Sequence, residues 1–553
     1  MGPVPAGFLE GHAPADPRLR APMGLRHVLP GAVRQGNELL PTTPNPSAGG
    51  HPGAWIFEGD GPSHCQCSFA RNYPYAIGPR VGGAYQITPK TVLRGGWGLI
   101  YSQTGTTSLG IANAGTAATN TVVSTGLGTP AMYLQTGIPA QTVPTWPVIS
   151  AGVFPAGGST VTPNLPAGVG MLDPNAGRPA RQSQWSIGVQ REITHDLVAE
   201  ASYVGNRGVW WQAPGLVNIN AITPDILGAH SIDLSRSADQ TLLTSLVTST
   251  AAVSRGITLP YPGFPTNQTV AQALRPFPQF GTIPAIGDPR GKTWYDSLQS
   301  KVTKRLTHGL NLTGTFAWQK SLQQGVDTNA TVNNILANMA NSKSYSGFDQ
   351  PFLFGLAGSY ALPRVQTNRV LSYAIQDWQI GTIFQYGSGL PIPTPQAANS
   401  STLNNQIFQN TLANRVPGVP LYTVSDINCH CYDPAKTFVL NKDAWVNPPA
   451  GTFGTAAEYY GDFRYQRHPQ ENLNFGRTFR VKERASLNLR VEFNNIFNRT
   501  YLNNPSATGY TLAQSKNPVT GLNSGGFGYI NLAVASNQVG QPRNGTIVAR
   551  LIF

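Results

Sequence analysis

Apolar and polar residues alternate at every second position in many stretches of this chain, and this pattern restricts the fold more than any other feature. Period-two alternation is typical of β-strands whose two faces meet different surroundings. In the clearest stretch, which begins at Ala485, an apolar set (Leu487, Leu489, Val491, Phe493) alternates with a polar set (Ser486, Asn488, Arg490, Glu492). The pattern therefore predicts an all-β protein.

The alternating stretches form five pairs, each joined by a short turn, and a last single stretch ends the chain. Short turns fall at 88–90, 191–196 and 306–309; a looser pair follows position 352, the fifth contains 485–493, and the last strand is 544–553. Long connections rich in Gly, Pro, Thr and Asn separate the pairs: 102–183, 212–292, 321–350, 390–468 and 500–540. Alternate short and long connections are typical of outer-membrane barrels. A soluble β-sandwich or propeller explains the strands but not this spacing.

Charge and hydropathy also favour an outer-membrane barrel. Only 11% of the residues are charged and mean hydropathy is -0.18, whereas soluble domains carry about 25% charged residues. No apolar run of about 18 residues predicts a transmembrane helix. The net charge of +13 would suit nucleic acid, but Lys and Arg are scattered and form no dense run. Basic side chains facing a wet lumen, or facing acidic sugars and lipopolysaccharide outside, explain the charge better, so no nucleic-acid partner is expected.

The strand count predicts part of a larger barrel. Five pairs and a final strand give eleven strands, but bacterial single-chain barrels have an even number, because an open edge in lipid leaves backbone groups unsatisfied. Outer-membrane transporters have about 22 strands around a plugged lumen. We therefore expect residues 77–553 to form the C-terminal part of a roughly 22-stranded antiparallel transmembrane β-barrel with long extracellular loops. Residues 1–76 are unassigned and expected to be irregular.

The last two strands give the most specific residue predictions. The apolar set of the 485–493 stretch (Leu487, Leu489, Val491, Phe493) is predicted to face lipid, and Arg490, Glu492 and Arg550 are predicted to face the lumen. Arg490 and Glu492 are expected to form an ion pair, because they lie two positions apart on one face. The final strand places Ile547, Ala549, Leu551 and Phe553 on a single face.

Four cysteines occur as two close pairs, Cys65/Cys67 and Cys429/Cys431, with His64 and His430 beside them. A soft-metal site is one interpretation, but this spacing matches no standard zinc motif. Loop disulfides or free thiols are the preferred interpretation. With no Ser/His/Asp arrangement and no phosphate loop in the pattern, neither a metal, a cofactor nor an enzymatic activity is expected.

Several segments resemble the barrel of Oar-like TonB-dependent receptors. These segments include IGPRVGGAYQITPKTVLRGGWGLIY (77–101), WYDSLQSKVTKRLTHGLNLTGTFAWQKS (294–321), SLNLRVEFNNIFNRTYLNNP (486–505) and QPRNGTIVARLIF (541–553). The resemblance covers most of 77–553 in the same order. Its motifs are structural, and none is a catalytic signature.

The resemblance implies an outer-membrane receptor that takes up a bulky nutrient such as a siderophore, a glycan or a peptide. In this family a signal peptide, a plug domain and the first barrel strands precede the matching region, so the chain is expected to be a fragment. A TonB-type energy coupler is an expected partner only if a plug and a TonB box exist upstream. The terminal strand resembles the one that the outer-membrane insertion machinery recognises, which gives Ile547, Ala549, Leu551 and Phe553 an assembly role.

Two other functions stay open at this point. The long loops would also suit a structural or adhesive protein of the cell surface. A soluble basic β protein that binds nucleic acid is the third alternative, and membrane fractionation separates it from the other two.

Overall fold

The computed structural model describes much of the chain between residues 19 and 553. The described residues are 19–20, 23–27, 37–45, 48–57, 66–71, 73, 76–102, 129–133, 135, 171–213, 218–283, 285–307, 309–325, 342–363, 373, 375–398, 403, 406–408, 410–429, 431–449, 452–482, 485–507, 513–532 and 542–553.

β-Strands dominate these residues. The first twelve are β1 (Leu19–Arg20), β2 (Met23–His27), β3 (Asn37–Asn45), β4 (His51–Phe57), β5 (Ile77–Thr88), β6 (Thr91–Tyr101), β7 (Met171–Leu172), β8 (Arg181–Thr194), β9 (Leu197–Trp211), β10 (Ala285–Ile286), β11 (Gly291–Thr307) and β12 (Leu310–Gln324). The other twelve are β13 (Lys343–Tyr345), β14 (Phe352–Ala361), β15 (Trp378–Gly387), β16 (Pro391–Pro393), β17 (Asn414–Arg415), β18 (Trp445–Val446), β19 (Tyr459–Arg464), β20 (Gln470–Lys482), β21 (Ala485–Asn494), β22 (Gln514–Lys516), β23 (Asn523–Gly526) and β24 (Asn544–Ile552).

The helices among the described residues are short and lie between strands. They are α1 (Pro224–Ala229), α2 (Ser237–Thr244), α3 (Thr250–Ser254) and α4 (Val270–Ala273), with one 3-10 turn at Lys442–Ala444. None of these helices has the length and apolar character needed to cross a membrane.

One antiparallel sheet, which we call the wall, contains the eleven long strands that the sequence predicted. Their order is β5, β6, β8, β9, β11, β12, β14, β15, β20, β21 and β24, and each pairs with the next along the chain. The prediction of an all-β fold, with eleven long antiparallel strands paired in chain order, is thus confirmed. β1 and β2 pair with β5, and β13 pairs with β12, which brings the sheet to fourteen strands.

Short and long connections alternate along the wall as the sequence predicted, except that 16 residues (362–377) separate β14 from β15, the looser of the predicted pairs. Two residues separate the strands at 89–90, 195–196, 308–309 and 483–484. The turn predicted at 191–196 is shorter than expected, because Arg191 and Glu192 still pair with Ala199 and Val198. At the 308–309 turn a glycine is required: Gly309 has a φ of +83°, and a Cβ there would lie 2.2 Å from the carbonyl oxygen of Ala361.

The segment 1–76 is not wholly irregular, contrary to the expectation from the sequence. β2 pairs with the edge of β5, from Met23 opposite Val81 to His27 opposite Ile77. β3 and β4 form a separate antiparallel hairpin. The alternation was hidden because prolines interrupt it, at Pro41 and Pro44 in β3 for example.

Buried apolar side chains lie in the long connections and not in the wall. Within the described residues, no apolar side chain of a wall strand is buried. The largest fully buried side chains include Phe280, Phe463, Leu243, Ile392 and Ile407, all in the connections 212–290 and 388–469. The wall therefore needs an apolar environment from outside the protein, whereas the connections bury their own apolar residues.

Candidate functional site

The register of the wall divides its residues into two faces of different chemistry. Directly paired residues of an antiparallel sheet share a face. One such row crosses eight strands and is mostly apolar: Tyr85, Leu93, Val189, Ala201, Ser300, Phe316, Phe354 and Tyr386. We call this side of the sheet the apolar face. It continues through the row of Ile380, Phe475, Val491 and Ile547 to the last strand.

The opposite side, the polar face, carries hydrogen-bonding side chains across the same strands. One row comprises Gln190, Glu200, Lys301, Thr315, Gly355, Gln385 and Gln470. Within it Gln190 donates to a carboxylate oxygen of Glu200 at 3.1 Å. The two faces are kept apart over eleven strands because register shifts occur only near the ends of five of the pairings, so the alternation is preserved along the rest of each strand.

Charged side chains mark the height of the apolar face. On β11 the face contains Asp296, then Leu298, Ser300 and Val302, and then Lys304, eight positions after Asp296. Eight residues span about 27 Å along a strand, which a tilt of about 40° reduces to about 20 Å, close to the roughly 25 Å apolar band of outer-membrane barrels. Arg207 pairs with Asp296 at 2.9 Å, and Asp196 pairs with Lys304. The apolar face thus has the height of a hydrocarbon layer.

The residues singled out in the last two strands fall on the two faces as sets. On the apolar face Leu487, Leu489 and Val491 lie opposite Leu551, Ala549 and Ile547, and Phe493 lies opposite Gly545. Phe553 follows the end of β24 and is 94% exposed.

Arg490, Glu492 and Arg550 lie together on the polar face, where Arg550 is opposite Asn488. The expected ion pair is present, with 2.7 Å between Arg490 Nε and Glu492 Oε1. The contacts of these sets with lipid, lumen or assembly machinery stay predictions.

Three long connections (212–290, 388–469 and 495–543) pack into what we call the loop assembly. One core joins the first two, with Leu403 and Ile407 of the second connection inserted among residues of the helices, including Leu243 and Val270. A second core joins the second and third, around Phe463, Leu440 and Phe527. The sequence showed these segments only as long connections, since residues of each core come from two of them.

A largely enclosed arginine ties the loop assembly to the wall. Arg464, at the end of β19, contacts the Asp349 carboxylate with 2.5 Å between Nη2 and Oδ2, and the carboxylate is fully buried. Arg464 also donates to the carbonyl oxygens of Asp349, Gly389 and Gly461. Asp349 in turn accepts from the backbone N–H of Ser321 in β12 at 2.6 Å. These bonds hold the middle connection above the strands.

A cleft of about 740 Å³ lies where the loop assembly meets the polar face. Its lining includes Glu200, Gln299, Lys301, Thr315 and Gln385 from the polar face, together with Gln350, Leu390, Gln466 and His468 from the connections. Gln466 is oriented by donating to the Tyr432 hydroxyl at 2.6 Å. Amides, hydroxyls, one carboxylate and one ammonium lie beside apolar side chains that include Phe316 and Phe354, so the cleft can contact a solute with both polar and apolar parts.

Burial shifts the titration of several groups in the loop assembly. It raises the pKa of Tyr422 and of Tyr465 to about 12, so both hydroxyls remain protonated, and that of Tyr422 donates to the carbonyl oxygen of Arg464 at 2.8 Å. Burial lowers the pKa of Arg275 to about 9, since the residue is only 7% exposed; its guanidinium lies 3.2 Å from the Phe408 ring centroid. Burial also lowers the pKa of His468 at the cleft, against a hydrogen bond with Asn504 that raises it.

Cys429 and Cys431 form a disulfide in the middle connection. Cys67 is disulfide-bonded as well. Cys65, His64 and His430 lie outside the described residues. Among the described residues, no group of three or more His, Cys, Asp or Glu side chains could hold a metal ion.

The chain matches the family model described as outer membrane beta barrel domain over residues 6–545. It therefore belongs to this family, and its location is the outer membrane. The outer-membrane barrel that the sequence predicted is thus confirmed. This class of protein includes the plugged transporters with about 22 strands. No curated protein sequence matches the chain at a significant level.

Solved structures of outer-membrane proteins are similar to the chain at low identity. Examples are the outer membrane transporter YddB from Escherichia coli (8% identity, TM-score 0.38), the ferripyoverdine receptor of Pseudomonas aeruginosa (9%, 0.34) and the ferric-catecholate import receptor Fiu from Escherichia coli K12 (10%, 0.33). Each covers 97% of this chain, which in turn covers 45%, 36% and 42% of theirs. The chain thus spans less than half the length of these structures.

Proposed function

We propose that this chain forms the wall and extracellular loops of an outer-membrane receptor that takes up a bulky nutrient such as a siderophore, a glycan or a peptide. The observation that carries the proposal is the cleft of about 740 Å³ between the polar face and the loop assembly. A solute held there contacts Glu200 and Lys301 on the wall and His468 on the connection above. Such a position suits capture from outside before passage along the polar face.

In this proposal the apolar face contacts lipid and the polar face lines the lumen. Leu487, Leu489, Val491 and Phe493 then contact lipid, and Arg490, Glu492 and Arg550 contact water. The long connections lie outside the cell and the short turns lie in the periplasm. The two faces support this orientation, because exposed apolar residues such as Ile187, Trp318 and Phe352 would otherwise meet water.

The last strand is proposed to act in assembly. Ile547, Ala549 and Leu551 share the apolar face, and Phe553 is exposed beyond the strand end, which leaves all four accessible to the outer-membrane insertion machinery. Deleting Phe553 is expected to lower the amount of heat-modifiable protein in outer-membrane fractions. An unchanged amount would contradict the assembly role. Coupling to a TonB-type protein is proposed only for a form that carries a plug and a TonB box upstream.

The uptake function is tested by the growth of cells that carry the intact locus, with the bulky nutrient supplied in the medium. We expect that deleting the locus abolishes growth on one class of bulky nutrient, and that loss of the energy-coupling partner has the same effect. Replacing Lys301 by Gln is expected to weaken uptake, whereas Lys436→Gln, on the exposed side of the loop assembly, serves as the control. Normal uptake together with lost attachment to surfaces would instead favour the adhesive function.

A further inference from the structure

Arg275 is a buried charged residue that the proposed uptake function does not use. It lies in the connection 212–290, just after α4, and is only 7% exposed. Burial lowers its pKa to about 9, so the guanidinium still carries its charge at neutral pH. A buried cation is costly unless an anion pairs with it. Arg275 therefore needs a negative charge beside it.

The other described arginines of this connection have such a partner. Each of the three contacts an aspartate: Arg236 and Asp233 at 3.4 Å, Arg290 and Asp288 at 2.9 Å, and Arg255 and Asp239. By contrast, Nε and Nη1 of Arg275 are enclosed and have no hydrogen-bond partner among the described residues. Burial is the only cause of its pKa shift, so no carboxylate of the described chain acts on it.

Two buried amide side chains fix the backbone that carries Arg275. Asn220 donates to the carbonyl oxygens of Phe277 and Phe280 at 2.9 and 3.0 Å. Gln272 donates to the carbonyl oxygen of Phe280 at 2.8 Å. These bonds do not involve the guanidinium, so its position does not depend on an ion pair within the described chain.

Phe408, from the connection 388–469, covers one face of the guanidinium, with its ring centroid 3.2 Å from Cζ of Arg275. The φ of Phe408 is +61°, a conformation that is strained for an aromatic residue and persists only where the surroundings maintain it. Asn218 donates to the Phe408 carbonyl oxygen at 3.4 Å, and the Ile222 backbone N–H donates to that of Ile407 at 3.3 Å. With this face covered, an anion can bind in the plane of the guanidinium, at its edges.

The third nitrogen of Arg275, Nη2, is not enclosed as the other two are. A guanidinium has two donor edges, and Nη2 belongs to both of them, with Nε on one and Nη1 on the other. The two oxygens of a carboxylate match such an edge with two parallel N–H···O bonds. A carboxylate also neutralises one guanidinium, whereas a phosphate would bury about one negative charge in excess.

We propose that Arg275 binds a carboxylate group from solution, which is held in the plane of the guanidinium by paired hydrogen bonds at an edge that includes Nη2. The carboxylate belongs either to a small free organic acid or to a larger solute that carries one. The site is distinct from the cleft, whose described lining contains neither Arg275 nor Phe408. Because Arg275 and Phe408 come from different connections, a bound carboxylate stabilises the contact between the two.

Hydrogen exchange of the full chain in phospholipid vesicles, during an acetate titration, tests the inference. The readout is the backbone N–H of Phe277, which donates to the Asn220 amide oxygen at 2.8 Å. A ligand that binds only the folded state slows exchange in proportion to 1 + [L]/Kd, so acetate at about ten times its Kd should slow exchange there roughly tenfold. Sodium chloride at the same ionic strength should cause little change.

Arg275→Met should abolish the acetate effect and still fold, because no carboxylate loses its cation. Arg275→Lys keeps the charge but not the planar edge, so its response to acetate should be much weaker than that of the parent. Arg236→Met is the matched control, since this side chain is 71% exposed on the same connection, and it should respond as the parent does. Heat-modifiability on gels verifies that the variants are folded.

Trialanine, which has a free terminal carboxylate, distinguishes the two sources of the ligand. A smaller effect of trialanine than of acetate at equal concentration assigns the site to small acids, and a larger effect assigns it to larger solutes. An equal acetate response in Arg275→Met and the parent would overturn the inference. An equal response of the parent to chloride and to acetate would also overturn it, because the site would then not select a carboxylate.

Discussion

The wall and the loop assembly bury apolar residues in opposite ways. The wall leaves residues such as Ile187, Phe352 and Ile547 exposed, at 54%, 52% and 79%. The loop assembly encloses Leu243, Leu440 and Phe463 completely. In the proposed orientation the wall uses lipid as its apolar solvent, whereas the loop assembly has protein cores of its own. Mutations of similar chemistry should act differently in the two regions.

The largest effect is expected from Arg464→Met in the loop assembly. The substitution leaves the fully buried Asp349 carboxylate without its cation, which costs about 3–5 kcal/mol. Hydrogen exchange should show faster opening of 388–469 with little change in the wall. Arg415→Met is the matched control, because its partner Asp462 is exposed and surface ion pairs contribute less than about 1 kcal/mol. Equal losses of protection in both variants would contradict this account.

The second effect concerns the wall and uses two neighbouring residues of β8. Ile187 lies on the apolar face and Ser186 on the polar face, at nearly the same height. Arginine at position 187 is expected to cost about 2–4 kcal/mol in a bilayer, because the charge meets lipid. Urea unfolding in phospholipid vesicles measures the difference. If Ser186→Arg is as destabilising as Ile187→Arg, the assignment of the two faces is wrong.

A smaller effect is expected when the same substitution, isoleucine to valine, is made in the wall and in the loop assembly. Ile407 is buried between two connections, and Ile407→Val should cost about 0.5–1.5 kcal/mol through the cavity that it leaves. Ile380→Val on the apolar face should cost almost nothing, because lipid fills the vacated space. Thermal unfolding of the two regions, followed by hydrogen exchange, compares the variants. A larger cost at position 380 would be inconsistent with lipid contact.

The smallest effect is a pH dependence confined to the loop assembly. Burial holds the pKa of His468 below its usual value of 6.5, so the unfolded connection binds a proton more readily than the folded one. Stability of the loop assembly should therefore be complete above pH 6.5 and fall as the pH decreases below it. Limited proteolysis at pH 5 and pH 7.5 detects this change. His468→Gln should reduce the difference, and an undiminished difference would assign it to other groups.

The sequence predicted the wall well and the loop assembly poorly, for one physical reason. A strand between lipid and water keeps a period-two pattern within a dozen residues, as in 485–493, and that pattern can be recognised locally. The sequence did not show how neighbouring strands are aligned, for example that Leu489 lies opposite Ala549 and Arg477. The separation of the apolar face from the polar face follows from this alignment.

The loop assembly depends on contacts between residues distant in sequence. Ile222, for example, donates its backbone N–H to Ile407 at 3.3 Å, and Arg464 reaches Asp349. Neither contact has a local pattern. The cleft at the polar face was missed for the same reason, since Lys301 and His468 come from separate parts of the chain. Only the signal of long connections between wall strands pointed to a functional surface there.

The most direct test of the two-faced wall is an accessibility scan of β21. Single spin labels at positions 487–493, in the chain reconstituted into bilayers, report exposure to lipid-soluble oxygen and to a water-soluble nickel chelate. We predict oxygen contact at 487, 489, 491 and 493 and chelate contact at 488, 490 and 492. Chelate contact at the odd positions, or no alternation at all, would contradict the account.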